Sequence, residues 1–452
     1  MADLLSDAYS QFDQFYLPLD WDDPRRIPLN DRNVRGTDFS CVQVLQQGIE
    51  LSVETHSTQF FTGFIGSGKS SELKELAHQL EGQGYQVVFV DTEEFLNLKL
   101  PPTISDLLVT VAGGMDKHLR DALPPEALKP ATGFWARLNS FAQSIQIDGI
   151  TLGAEGVASV GLSFKQNVQF RQKLNAALQE LGRVPAFAKE CGGFLREAVG
   201  LLRKQAPASK GVVVIVDSFE KVGTPYITQE VVRAVETLFT RDWNLLQVPC
   251  HAIYTVPPWL AFVEFGAASP ALMLPMCKLR HRKGGKEFPP GIRAMLDILE
   301  KRAPLAQMFA QHAAVLKPVI LASGGYPRDV LRMMREVILR VSLEMKKSQA
   351  LKLPLPRHIA ARIVKRVIEV HTELYEDALT EENLPFVVQV ARDRDIEGQR
   401  HEDLPRVVAL FQHHFVMTYL NGARWFDIHP LVRRSAKLQK ALKAQAGFKR
   451  PE

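Results

Sequence analysis

Eight residues, GFIGSGKS at positions 63–70, constrain this chain more than any other stretch. Four residues separate Gly63 from Gly68-Lys69-Ser70, an apolar strand-like run ends at Phe60-Phe61, and a helical pattern opens at Ser71. Strand, glycine-rich loop and helix in that order are the context a phosphate-binding loop requires. Glycines let the backbone turn so that successive N–H groups face one centre, and the helix N-terminus adds partial positive charge. On this reading Gly63, Gly66, Ser67, Gly68, Lys69, Ser70 and Ser71 form the cofactor-binding loop. Lys69 reaches the β- and γ-phosphates, and the Ser70 hydroxyl ligates Mg2+. A plain glycine-rich turn is the competing reading.

The rest of the pattern supplies a sheet to carry such a loop. Val- and Ile-rich runs occur at 85–91 (YQVVFVD), 211–217 (GVVVIVD) and 250–256 (CHAIYTV), with a weaker one at 271–275. Continuous apolar runs interleaved with helical periodicity are the mark of buried parallel strands joined by crossover helices, so the fold class is α/β. More than a hundred residues separate the run at 85–91 from the run at 211–217, far more than one crossover needs. That excess defines an insertion of about 100–205. Within it IQIDGITLGAEGVASVGLSF reads as a β-hairpin flanked by helices. Helical periodicity runs from 290 to 345, and MKKSQALKLPLPRH then reads as a linker. Near the C-terminus Asn421-Gly422 joins two alternating runs, FVMTYL and ARWFDI, a strong hairpin signal that follows helices and suggests a winged helix. The expected layout is an N-terminal arm at 1–37, an ATPase core at 38–280, a helical lid at 281–350 and a winged-helix domain with a basic tail at 351–452.

A Mg-nucleotide site needs a carboxylate at the end of a neighbouring strand, and VVVIVDSFE provides Asp217 there as the second metal ligand beside Ser70. The residue after it is Ser218, so the base that activates water must come from elsewhere. Glu220 is the first candidate and Glu93, at the end of the 85–91 strand, the second; a capping or surface role competes with each. Thr255, where HAIYTVPP leaves its strand, stands at the mouth of the sheet and is a candidate contact to the γ-phosphate or the water. In SGGYPRDVLRMMR, Gly324-Gly325 precedes Pro327, a residue that starts helices well. Arg328 falls in that first turn, with Arg332 and Arg335 on the same face; a cation there can swing onto nucleotide phosphates, and solvated arginines are the competing reading.

Charge and cysteine content narrow the classes. The 452-residue chain has a formal net charge of +5, too small to imply nucleic acid by itself. The first 23 residues hold six aspartates and no Lys or Arg, which does not fit a secretory leader, and no apolar run approaches a membrane span. The expected location is cytoplasmic. Cys41, Cys191, Cys250 and Cys277 are widely spaced with no CxxC, which fits buried thiols rather than a zinc site or a disulfide framework. Two basic runs stand out: KLRHRKGGK at 278–286, and residues 431–452 with seven Lys/Arg against one Glu. Solvated surface and contact with phosphates are the two readings of each.

With Gly63 to Ser70, Asp217 and SGGYPRDVL in view, the chain resembles bacterial P-loop ATPases of the AAA+ type closest to origin-recognition and STAND proteins, over residues 38–440. The resemblance implies a P-loop NTPase three-layer sandwich with a parallel sheet, a helical lid and a C-terminal winged-helix domain. It also implies ATP and Mg2+ as cofactors, with adenine favoured by likeness alone. The family's arginine finger has no counterpart in 257–277, and Arg280, Arg282 and Arg302 are off the pattern. This favours a slow regulatory switch over a ring motor. Relatives with this layout are often encoded beside anti-phage defence effectors, which implies a separate effector partner and a nucleotide-dependent homo-oligomer. The alternative is a DNA-binding ATPase of replication or transposition type, gripping phosphates through the winged helix and the basic tail.

Overall fold

The computed structural model describes residues 2–29, 33–124, 133–147, 164–224, 226–263, 270–283, 285–348, 354–396 and 404–446. They divide into two compact units interleaved along the sequence. One comprises Cys41–Gly63 and Glu72–Met273, the other Met1–Ser40, Phe64–Ser71 and Leu274–Glu452.

The first unit is built on a five-stranded sheet. Its strands are β1 (Ser57–Thr62), β2 (Tyr85–Asp91), β3 (Gly211–Asp217), β4 (His251–Val256) and β5 (Leu272–Met273). They lie in the order β2-β3-β4-β1-β5, with every pairing parallel. β3 and β4 are buried along their whole length, as expected when helices cover both faces of a parallel sheet. The valines and isoleucines of GVVVIVD suit that position because branched side chains pack on a pleated surface. β5 is shorter than the 271–275 run suggested. The long connection between β2 and β3 is helical: Ile104–Ala122, Phe134–Ser144, Val168–Glu180 and Val184–Gln205. Thr103 and Asp106 form a capping box at the start of the first of these. Asp106 is also gripped by Arg171 through Nε and Nη2, both at 2.7 Å, which ties two inserted helices together by a buried bidentate pair. Of the hairpin expected over 145–164, residues 148–163 lie outside the described residues.

The second unit is largely helical. Helices Pro289–Glu300, His312–Ala322 and Pro327–Ser348 pack with Arg357–Ala378 around a core that includes Met295, Val319, Val337 and Val364. The N-terminal helix Ala2–Asp13 lies on Pro327–Ser348, where Arg335 pairs with Asp13 and stands 5.0 Å over the Tyr9 ring. Helices Leu384–Asp393 and Leu404–Gln412 precede an antiparallel hairpin, β6 (Val416–Asn421) and β7 (Ala423–Ile428), which turns at Gly422 with φ of 77°. Three helices followed by a two-stranded wing are the winged-helix arrangement. The wing is docked within its own unit. Met276 N donates to the Thr418 carbonyl at 2.9 Å, and the Tyr419 hydroxyl donates to the Gly324 carbonyl at 2.6 Å. Gly36, at φ of 74°, lies against the Leu420 carbonyl so closely that any side chain there would collide. Among the described residues no helix is long and apolar enough to cross a membrane. All four cysteines are free and buried; burial pushes the Cys250 and Cys277 thiols up to about 12 and Cys191 higher, so they are poor nucleophiles.

Candidate functional site

The register of the parallel strands brings chemistry to one edge of the sheet. Asp91 pairs with Asp217 at the C-terminal ends of β2 and β3, while Phe61 and Thr62 pair with Thr255 and Val256 at the ends of β1 and β4. Ligands of open α/β sheets bind outside the carboxyl ends of the strands, and this is that edge. Thr62, wholly buried, donates its hydroxyl to the Val256 carbonyl at 2.7 Å and anchors the end of β1 just before Gly63.

Asp217 is buried at the end of β3, and its carbonyl accepts the Thr92 hydroxyl at 2.6 Å. The chain then turns sharply. Ser218 sits at φ of 71°, a left-handed conformation that costs a non-glycine residue roughly 1–2 kcal/mol. The Thr255 hydroxyl accepts the Phe219 N–H at 3.1 Å and so holds the turn Phe219–Lys221, in which Glu220 is buried. Thr255 thus positions the turn that carries Glu220, and its own hydroxyl proton remains available for donation. Glu93 is exposed and paired with Lys221. Burial alone would lower the Lys221 pKa, but Glu93, with Glu220 and Asp91 nearby, holds it above the ordinary lysine value. Glu93 thus lies on the surface in an ion pair, while Glu220 is carried on the buried turn.

Beyond Gly63 the loop belongs to the other compact unit. Gly66 and Gly68 have φ of 89° and 104°, where a side chain is strained, and Lys69 opens the helix Lys69–Gly82. Lys69 is buried, and its Nζ donates to the Phe64 carbonyl at 3.0 Å, so the ammonium is folded into the loop. The Ser67 hydroxyl is buried with no hydrogen-bond partner. Ser70 is partly buried in the first helical turn. The Ser71 hydroxyl accepts the backbone N–H of Leu19 at 3.0 Å, which gives it a structural task the motif does not reveal.

Arg328 stands directly over this loop. A Cβ placed on Gly66 would fall 2.8 Å from Arg328 Cδ, and Arg328 Nε is buried without a partner. Arg332 pairs with Asp329 at 3.3 Å and Arg335 with Asp13, so of these three arginines it is Arg328 that faces the loop. Asp329 itself is buried. Burial alone would raise its pKa, but His429, Arg332 and Tyr375 together hold it well below the usual carboxylate range. Of the substitutes for an arginine finger, Arg280 donates to the Gly285 carbonyl and Arg302 to the Ile298 carbonyl. Burial, with Arg25 nearby, lowers the Arg302 pKa to about 10.

Two residues at the loop were not singled out by motif. Arg35, only 3% exposed, donates Nη1 to the Pro275 carbonyl and Nη2 to the Ser67 carbonyl, the latter at 3.2 Å. The Tyr326 hydroxyl donates to the Ile65 carbonyl. No sequence spacing predicts either.

The donors fit a magnesium-bound nucleotide. Orphaned buried Ser67 Oγ and Arg328 Nε border glycines with left-handed backbone, a combination suited to polyphosphate oxygens. Among the described residues no group of three or more His, Cys, Asp or Glu forms a metal cage. A metal carried by phosphate, one hydroxyl and one carboxylate needs no such cage.

No protein-family model matches the sequence, and no curated protein matches it. Solved structures similar to it include Cdc6p from Pyrobaculum aerophilum, at 12% identity over 96% of this chain and 98% of that one with a TM-score of 0.35. A Walker-type ATPase of Pyrococcus abyssi matches at 12% identity over 90% and 97% of the two chains, with a TM-score of 0.38. A chain of the Drosophila origin recognition complex bound to DNA matches at 11% identity over 97% and 92%, with a TM-score of 0.37. At these identities and scores the function rests on the residues described above.

Proposed function

We propose that this chain is an ATP-binding, slowly hydrolysing ATPase of the AAA+ type that works as a regulatory switch. The observation that carries this reading is the loop itself: left-handed Gly66 and Gly68, Lys69 folded inward at the start of a helix, and Arg328 laid across Gly66. Backbone N–H groups and the Lys69 ammonium bind the β- and γ-phosphates. Ser70 and Asp217 would hold Mg2+, which would supply positive charge to the phosphates. Glu220 takes the proton from the attacking water, on a turn fixed by Thr255. Arg328 balances charge on the terminal phosphate, and its release or engagement changes the packing of the helical segment that follows. The switch acts on a homo-oligomer or a separate effector protein.

Titration of the wild-type chain and of Lys69→Ala with a non-hydrolysable ATP analogue in Mg2+ tests the reading. Removing the Lys69 ammonium is expected to weaken binding by about a hundredfold or more, on the scale of losing a charge-assisted contact to a buried anion. Equal affinities would remove the loop from nucleotide binding.

A second reading, DNA binding, has one observation in its favour. The helix Ala436–Ala446 exposes Lys440 and Lys443 and carries no acidic residue. Against it, the helix before the wing, Leu404–Gln412, has Arg406 as its one basic residue, and that guanidinium covers the Phe386 ring at 4.5 Å. A groove reader needs base-contacting side chains on that helix, so the switch is the better supported of the two.

A further inference from the structure

Three carbonyls of the loop are held by side chains that donate hydrogen bonds to them. Lys69 Nζ holds Phe64, the Tyr326 hydroxyl holds Ile65 and Arg35 Nη2 holds Ser67. Phe64 is also fixed by the Ser67 N–H at 3.0 Å. A trans peptide is planar, with its C=O and N–H pointing to opposite sides. Holding the Ile65 carbonyl therefore sets the direction of the Gly66 N–H, and holding the Ser67 carbonyl sets that of the Gly68 N–H. Gly66 and Gly68 have no side chain to restrict them, so without these outside donors each peptide could rotate at little cost. The two donors belong to the same compact unit as the loop.

We propose that Arg35 and Tyr326 are positioning residues for the phosphate-binding loop, pre-orienting the 67–68 and 65–66 peptides so that their N–H groups converge on the polyphosphate before it arrives. This rests on the nucleotide reading given above. Neither residue touches the ligand in this role. Each lowers the reorganisation that binding requires, which is where preorganised donors gain their effect. Arg35 contributes in a second way. Its guanidinium is buried beside Ser67 and Gly68, where it adds positive potential that neighbouring water screens little.

The test uses the full chain with Tyr326→Phe, which removes one oxygen, and Arg35→Lys, which keeps the charge and loses the fork. Affinities are measured for a non-hydrolysable ATP analogue and for inorganic tripolyphosphate, beside the melting temperature of nucleotide-free protein. Tyr326→Phe is expected to weaken both ligands by the same factor, about three- to tenfold, the equivalent of one lost hydrogen bond. Arg35→Lys is expected to lose at least as much. A purely structural role would lower the melting temperature and leave the affinities of the folded protein unchanged, and that result overturns the proposal. If the arginine variant does not fold, the tyrosine variant decides alone. Failure of the wild-type chain to bind the ATP analogue is a different result: it removes the nucleotide reading itself, and the positioning role with it.

Discussion

Two glutamates stand at the C-terminal edge of the sheet, one on the exposed surface and one on a buried turn. Glu93 is paired with Lys221, whereas Glu220 is buried on a turn that Thr255 holds in place. Glu220→Gln is expected to slow ATP hydrolysis by about a hundredfold or more while leaving affinity for the ATP analogue within twofold, as loss of a general base does. Normal turnover in that variant would move the role to another group. The strand, loop and helix around GFIGSGKS and the strand end at Asp217 could be read from sequence because each depends on near neighbours along the chain. Arg35 and Tyr326 could not, since they meet the loop across 32 and 261 positions of sequence. Nor could the tie between Ser71 and Leu19, 52 positions apart.

Elements whose signals are local were the legible ones. YQVVFVD and GVVVIVD are strands over the stretches their apolar runs mark, and Asn421-Gly422 sits at the turn of the wing. What the wing rests on was not legible, because docking depends on glycines and carbonyls brought together from distant segments. One such contact has a pH signature. His414, just before β6, is half-buried with its ring edge-on to Phe64 at 5.7 Å and Tyr326 at 5.0 Å. Burial lowers its pKa to about 3, with His429, Arg328 and Arg332 acting in the same direction against Asp329. The unfolded chain takes up this proton below about pH 6.5 and the native chain does not until near 3, so the stabilisation is complete above 6.5 and is lost as pH falls between them. The loss approaches ~1.4 kcal/mol per pH unit across that window. Urea unfolding of wild type and His414→Gln at pH 7, 5.5 and 4.5 should show a shallower decline in the variant, by about one proton. His118, His251, His371 and His413 are shifted the same way by burial and form a background common to both proteins. Parallel declines would show that His414 is not buried as a neutral ring.

At the scale of the whole molecule the chain leaves one compact unit at Gly63 and re-enters it at Glu72, so the eight residues of the other unit between them are those of the loop. For a switch the measurement that matters is molar mass in solution. Light scattering on nucleotide-free protein, with ADP, with a non-hydrolysable ATP analogue, and with duplex DNA is expected to show assembly with the ATP analogue alone. A mass change that appears only when DNA is added would favour the DNA-binding reading instead. The interleaving also orders events during synthesis. The loop emerges from the ribosome early, but Tyr326 follows it by about 250 residues, which at 5–20 residues per second is roughly 10–50 s. Until then the Ile65 carbonyl has no holder, so a nascent chain carries a phosphate-binding loop that is unfinished. On the nucleotide reading, a chain still lacking that hydroxyl would hold ATP about three- to tenfold more weakly, so occupancy of the site would favour chains whose synthesis and folding are complete.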